Sequence, residues 1–478
     1  MGVIVVPVVL AMVVGGVMGE RALVTRRVPV VWRCRHVGPI VAERGWSAAP
    51  RLPAMTSETD TSLIASLRGL GTDGRTLFAL RTLRMFGYGF LAVVLVLYLD
   101  SLGLDPVAIG AVLTLTLVGD TVVSLFLTTH ADRFGRRRVL VLSSLLVVVA
   151  GLIFAITDWL PVLILAGIVG VISPTGNEVG PFLAVEQASL TEVVPGRRRT
   201  ATFAWYNLVG SVATATGALA AGLLGQALIA AGWRDVDAYR AVVVGYAAIG
   251  LFMAVLAMRL GGGIEVPPAV AAATSDGITR LLGLGRSRSV ILRLSALFSI
   301  DAFAGGFVPL SLLAYWFTLR FGVSPGALGA IFFAANILAA ISALSAARIA
   351  ARIGLIETMV FTHLPSNILL ILVPLMPTLP LAVAVLLARF ALSQMDVPTR
   401  QSYVMAVVQP DERSAAAGVT GIARTVGAAI SPSFSSVLVA SAATAALPFF
   451  LAGGLKILYD LLIYRDFRAI RPAEEAAG

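Results

Sequence analysis

Ionisable side chains stand inside long apolar runs of this chain, where their chemistry would be proton or ion handling. Residues 161–190 include Asn177, Glu178, Glu186 and Gln187, and residues 379–408 include Arg389, Gln394, Asp396, Arg400 and Gln401. A charge inside a membrane-spanning segment costs about 2.5–3.5 kcal/mol on insertion scales, so each is a functional candidate. Glu178 leads as a proton site. It lies mid-run beside Gly176, Gly180 and Pro181, which loosen a helix and free backbone carbonyls. A carboxyl held away from water can take up and release a proton as its surroundings change. Asp396 and Arg400 are one helical turn apart and can pair; a Glu186–Arg400 pair is the alternative. Asp120 and Asp301 are further carboxylates within apolar runs. Arg81 and Arg84 lie near the start of another run. Snorkelling to the interface suits both, and Arg84 is also a cavity candidate. Tyr206 and Asn207 open a further run, where cavity, belt and packing roles all remain open. His363 reads as a packed, hydrogen-bonded core residue.

A second constellation is the basic stretch Asp132-Arg133-Phe134-Gly135-Arg136-Arg137-Arg138, set between apolar runs at 107–129 and 139–157. A weaker echo, Arg352-Ile353-Gly354, again separates two apolar runs. Other chemistries find no support. Cys34 is the one cysteine, and His36, His130 and His363 are too scattered for a metal site. No Gly-rich loop ending in Lys-Ser/Thr suggests an ATPase. No cofactor or metal is expected, and no enzymatic activity.

Elements that span a membrane must position these residues. Of 478 residues, 58% are hydrophobic and 13% charged, far from the roughly 25% charged residues of soluble domains. The apolar runs are continuous rather than alternating, which favours helices over a β-barrel. Twelve spans are predicted, at 77–100, 107–129, 138–157, 161–190, 201–229, 238–260, 291–318, 325–347, 355–376, 379–408, 414–440 and 443–463. The net charge of +10 comes from arginines clustered in short loops. That pattern reads as topology rather than nucleic-acid binding. Loops after even-numbered spans hold most of them, so both termini are expected in the cytoplasm, with the protein in the plasma (inner) membrane. Trp159, Trp233 and Tyr239 at span ends read as belt residues.

The spans divide into repeats. At a constant offset of 219, Gly87 matches Gly306, Gly103 matches Gly322, Pro106 matches Pro325 and Gly110 matches Gly329. The same offset pairs Arg133 with Arg352 and Gly135 with Gly354. Further on, the offset becomes 214 and pairs Gln187 with Gln401 and Glu186 with Arg400. The expected organisation is two six-helix bundles, 77–260 and 291–463, in the same orientation. A cytoplasmic segment at 55–76, a Gly/Ala/Ser-rich linker at 261–290 and a tail at 464–478 complete it. Residues 1–54 fit neither a signal peptide nor a full span, and are read as an over-extended start before Met55.

Twelve spans as six plus six, a central linker and the Asp132–Arg138 stretch resemble the major facilitator superfamily. Asp132, Arg133, Gly135, Arg136 and Arg137 match the family's loop pattern, with Thr128 where its leading glycine stands. The second copy is degraded, with Ala347, Ala351 and Leu355 at pattern positions. The resemblance implies an all-α membrane fold, with the first, fourth, seventh and tenth helices lining a central cavity. It also implies that Asp132 helps lock the halves together, with Arg136 or Arg424 as partner. Neither the Gly-Pro pair of the family's drug antiporters nor the loop pattern of its sugar porters is present.

The expected function is secondary transport of a small molecule by alternating access, coupled to protons and directed outward. Export is the commoner activity in the superfamily. Proton-coupled uptake of an organic anion through Arg84 and Arg400 is the alternative, and a non-transporting sensor or scaffold is a third reading. The partners expected are a small-molecule substrate, protons and the lipid bilayer, without nucleic acid, and the chain is expected to act as a monomer. Asp132→Asn should impair transport while leaving membrane insertion intact; full transport by the variant would remove the locking role.

Overall fold

Apolar runs of bilayer length close their own backbone hydrogen bonds as helices, and among the described residues there is no strand. The computed structural model describes residues 70–176, 181–194, 199–265, 287–408 and 412–469. The side chains of Asp132 and Arg133 lie outside the described residues, as do Glu178, the 1–54 extension and most of the 261–290 linker. Ten helical segments are long and apolar enough to cross a membrane, and the bent pair Thr72–Ala92 with Leu95–Ser101 makes an eleventh. The fourth run is interrupted: Leu160–Val169 is followed by non-helical chain at 170–176, and a helix is described again at Phe182–Val193. Counted as one broken span, it completes the twelve.

The spans expected to line a cavity are all discontinuous. The first bends by 41° after Ala92, where Val94 N–H bonds the Leu91 carbonyl three residues back and tightens the turn. The seventh stops at Gly305 and resumes at Leu310, behind Pro309. The tenth breaks between Ser393 and Asp396. Broken helices in corresponding positions of two repeats are a mark of transporter binding regions.

The repeat written in the sequence is repeated in the backbone. The second and eighth spans, Pro106–Phe134 and Pro325–Ile353, are both 29 residues long and both start on proline. Each is capped by the preceding side chain: Asp105 accepts from Ala108 N–H at 2.8 Å, and Ser324 accepts from Ala327 N–H at 3.5 Å. Both end on a glycine of positive φ, Gly135 at 93° and Gly354 at 95°. An L-residue in so sparsely populated a backbone region costs of order 1–3 kcal/mol, so the hairpin turn explains the glycine in each copy.

Contacts between the halves gather toward the Gly103 end of the bundle, away from Gly135. The second span packs on the eleventh, and the fifth on the eighth. Tyr315 hydroxyl donates to Asp100 at 2.8 Å, and Ser311 N–H to the Pro174 carbonyl at 3.2 Å. Ser433 hydroxyl donates to Thr114 Oγ1 at 2.7 Å. Repeat-related glycines permit the close approach: a Cβ on Gly110 would stand 2.2 Å from Ser436 Oγ, and one on Gly329 2.9 Å from the Ala218 carbonyl.

Gly110→Val should therefore hold this end open. In a Cys34→Ser background carrying Leu312→Cys, labelling by a membrane-impermeant maleimide is expected to rise severalfold. Unchanged labelling would show that the contact does not control closure.

Candidate functional site

Each half contains a buried set of charged residues whose described partners lie within that half. In the first half, Arg84 of the first span donates to Glu186 of the fourth at 2.6 Å, and both side chains are 0% exposed. Tyr206 hydroxyl, from the fifth span, donates to the same Glu186 oxygen. Arg81, one turn earlier on the first span, donates to the Tyr206 carbonyl at 3.0 Å and to Asn207 Oδ1 at 3.4 Å. Its guanidinium lies 4.3 Å from the Tyr206 ring centre. Three spans are thus tied by one carboxylate, two guanidiniums and a phenol.

The second half is built around Asp301 of the seventh span. Lys456 of the twelfth donates to its Oδ1 at 2.5 Å. Arg400 of the tenth and Arg424 of the eleventh each reach its Oδ2 at 3.3 Å. Arg400 also bonds Asp396 at 2.8 Å, four residues back on its own helix. His363 of the ninth span faces Asp301 Oδ1 across 3.9 Å and meets Asp460 of the twelfth at 2.8 Å. Asn367 donates to the other Asp460 oxygen at 2.9 Å. All are buried except Arg424, whose side chain is 34% exposed. A charge with that exposure needs water beside it, and the strongly amphipathic helix Arg413–Ile430 supplies a polar face.

The two sets mirror each other with the charges exchanged. In the first half the cation is on the first span and the carboxylate on the fourth. In the second, the carboxylate is on the seventh and the cation on the tenth.

The basic hairpin is a separate anchoring point. Glu265, just beyond the sixth span, accepts Arg136 N–H at 2.8 Å and Arg137 N–H at 3.1 Å. A carboxylate there caps and complements the positive end of the third helix. Arg136 guanidinium donates to the Ile264 carbonyl at 3.1 Å and lies 3.6 Å from Glu192 at the end of the fourth span. Arg137 donates to the Leu260 carbonyl at 3.4 Å. Arg352, in the second copy, is exposed.

Sequence similarity agrees with this geometry. A sequence profile described as Major Facilitator Superfamily matches residues 77–432. The chain belongs to the major facilitator superfamily. An uncharacterized membrane protein of Saccharomyces cerevisiae is 29% identical over 417 residues, covering 82% of this chain and 93% of that protein. The nucleoside transporter NupG superposes with a TM-score of 0.64 at 16% identity, covering 83% of this chain and 100% of its own. A partially occluded, inward-open structure of the xylose transporter XylE from E. coli gives 0.63 at 15%, covering 84% and 99%. At such identities these structures show the shared fold. The superfamily member described here is a membrane transport protein rather than an enzyme.

Several sequence expectations are corrected. Arg81 and Arg84 do not snorkel. Their helix starts at Thr72 rather than 77, which sets both arginines deeper, where they are 4% and 0% exposed. Glu186 and Arg400 do not pair with each other, because each is matched inside its own half. Arg424 reaches Asp301; Arg136 reaches Ile264 and lies near Glu192, and its expected partner Asp132 has its side chain outside the described residues. Tyr239 is buried rather than belt-like, whereas Trp159 and Trp233 are exposed. The Asp396–Arg400 pair is present as spacing suggested. Asp120 is buried and accepts Ser124 hydroxyl at 3.4 Å; Gln187 is half-buried and Gln401 exposed. Sequence reasoning passes over Lys456, Asp460 and Glu265. The first two stand four apart in an apolar run, the same signal as Asp396 and Arg400.

Glu186→Gln would remove the described counter-charge of the buried Arg84. Breaking such a pair costs about 3–5 kcal/mol, which should lower the thermal midpoint of the purified protein in detergent. Arg84→Met with Glu186→Leu should recover most of the loss, since apolar replacement of both partners is near neutral. A midpoint untouched by Glu186→Gln would deny the pair its structural weight.

Proposed function

We propose that this transporter exports a small organic molecule in exchange for protons, by alternating access. Its halves, 77–260 and 291–463, would rock about the Gly103-end contacts, with linker, tail and both termini in the cytoplasm. The protein would work as a monomer in the plasma (inner) membrane. The observation that carries the reading is the twin charge networks at repeat-equivalent spans. The described ion pairs of each network lie within one half, so the halves can separate without stripping any of them. With the arginine-rich hairpin on the cytoplasmic side, contact at the Gly103 end corresponds to an inward-facing state. That is the state named in the xylose transporter's description.

In this cycle Asp132, Arg133, Gly135, Arg136, Arg137, Arg352 and Gly354 belong to the cytoplasmic gate. Glu178, Glu186, Asp301, Asp396 and Arg400 serve coupling or the substrate cavity. The anion-uptake alternative loses its main support, because Arg84 and Arg400 are both neutralised by carboxylates.

Reconstitution into liposomes with trapped pyranine tests the reading. Vesicles with an acidic lumen are given a panel of small organic compounds, with orientation fixed by protease accessibility. Exchange predicts alkalinisation of the lumen together with compound uptake. Acidification would mean symport, and compound flux without pH change would remove proton coupling.

A further inference from the structure

The bonded charges of the second half balance only while His363 is neutral. Asp301, Asp396 and Asp460 stand against Arg400, Arg424 and Lys456. A single proton added to the ring upsets that balance at the centre of five spans. We propose that His363, held between Asp460 and Asp301, is the proton-coupling site of this transporter, with Nε2 taking the travelling proton. The proposal rests on the proton-coupled reading above and gives it an address.

The hydrogen-bond geometry defines the two states. His363 Nδ1 and Asp460 Oδ1 are 2.8 Å apart, so one proton must lie between them. Asn367 holds the Asp460 carboxylate through its second oxygen. With Asp460 ionised that proton resides on Nδ1, from which Asn367 Nδ2 also stands 3.2 Å, and Nε2 keeps its lone pair. It faces Asp301 Oδ1 at 3.9 Å, beyond hydrogen-bond length. A proton arriving from water onto the Nε2 lone pair makes an imidazolium between two carboxylates. No other bond forms or breaks, and the proton returns to water on release.

The consequence falls on Arg424. Protonated Nε2 is drawn toward Asp301 and competes with the cations already there: Lys456 on Oδ1, and Arg400 and Arg424 on Oδ2. Arg400 keeps Asp396 as a second partner, and Lys456 is buried. Arg424, one-third exposed, has water as an alternative, so its bond is the one that yields. Arg424 sits on the eleventh span, which packs against the second span across the interface between halves. Loading the ring therefore loosens a tie next to the rocking surface.

The charged surroundings of His363 come from every packed element. The twelfth span contributes Asp460, Lys456 and the edge of Tyr459, with ring centres 6.0 Å apart. The seventh contributes Asp301; the tenth contributes Asp396 and Arg400, with Arg389 meeting the ninth span through its carbonyl on Ser366. The eleventh contributes Arg424. Arg348 and Arg352 of the eighth are exposed toward its hairpin end, and Glu357 lies in the first turn of the ninth.

Spin labels test this in the full-length protein in nanodiscs, using Cys34→Ser with Arg259→Cys and Ala351→Cys, one label per half. With His363 intact, the inter-label distance distribution should shift between pH 5 and 9. His363→Gln should freeze it in the high-pH form and His363→Arg in the low-pH form. A purely structural histidine would not give opposite, pH-independent states. If His363→Gln responds as its parent does, or Glu178→Gln alone abolishes the response, the site is overturned while proton coupling survives. If the intact protein shows no pH response, the site is overturned, and the pyranine assay decides separately whether coupling exists. Should the variants aggregate, ring ¹⁵N shifts of the protein carrying only His363, through His36→Gln and His130→Gln, decide the question. A ring gaining its Nε2 proton across this range supports the site, and a ring fixed in one tautomer throughout overturns it.

Discussion

A charge buried in a helical bundle within lipid must find its counter-charge nearby, and the rest of this structure follows from where those partners sit. Arg84 and Glu186 are wholly removed from solvent and bonded to each other. Asp301 is contacted by cations from three other spans. Breaking either arrangement would cost about 3–5 kcal/mol. The strong interactions therefore lie within each half. Between the halves, the described bonds are hydroxyl and backbone contacts, contributing about 0.5–1.5 kcal/mol each and about 1.5–3 kcal/mol where Tyr315 meets the Asp100 carboxylate, beside glycines that let helices touch. Rigid halves with a weak seam are what alternating access requires.

The repeat explains how such a system arises from one backbone plan. The glycine and proline positions recur because they answer to local backbone geometry, which both copies share. The charges recur span for span rather than residue for residue, with sign exchanged between the first and fourth spans and the seventh and tenth. A salt bridge works in either polarity, so exchange preserves the tie. The halves then diverge in extent. The first closes its network with a phenol and an asparagine. The second extends it through Lys456, Asp460 and His363, and includes an imidazole whose protonation state sets its net charge.

Much of the fold is legible in the sequence for physical reasons. Hydropathy reports the spans because lipid tolerates little else. The Gly103–Gly322 and Gly135–Gly354 matches report turns because all four need positive φ. The Asp396–Arg400 pair is legible because its geometry is one helical turn. Arg81 and Arg84 mislead because hydropathy begins their span at 77, while the helix begins at Thr72. Glu265 is hidden in a Gly/Pro-rich stretch after the sixth span, where a single carboxylate carries no pattern. Lys456 and Asp460 carry the same four-residue spacing as Asp396 and Arg400, yet nothing in that spacing says that they turn toward Asp301 and His363.

The sequence by itself determined the superfamily, the helical spans, the repeat and several of the buried ionisable candidates, because each depends on local composition or local backbone geometry. Only the tertiary structure decided which charge answers which. Partners such as Arg84 and Glu186, or Asp301 and Lys456, are separated by 102 and 155 residues. Their meeting depends on the rotation and depth of whole packed helices. A shift of one residue turns a side chain by about 100° around a helix with 3.6 residues per turn. No linear pattern encodes that angle, and here it separates a pair matched inside one half from one that would bind the halves together.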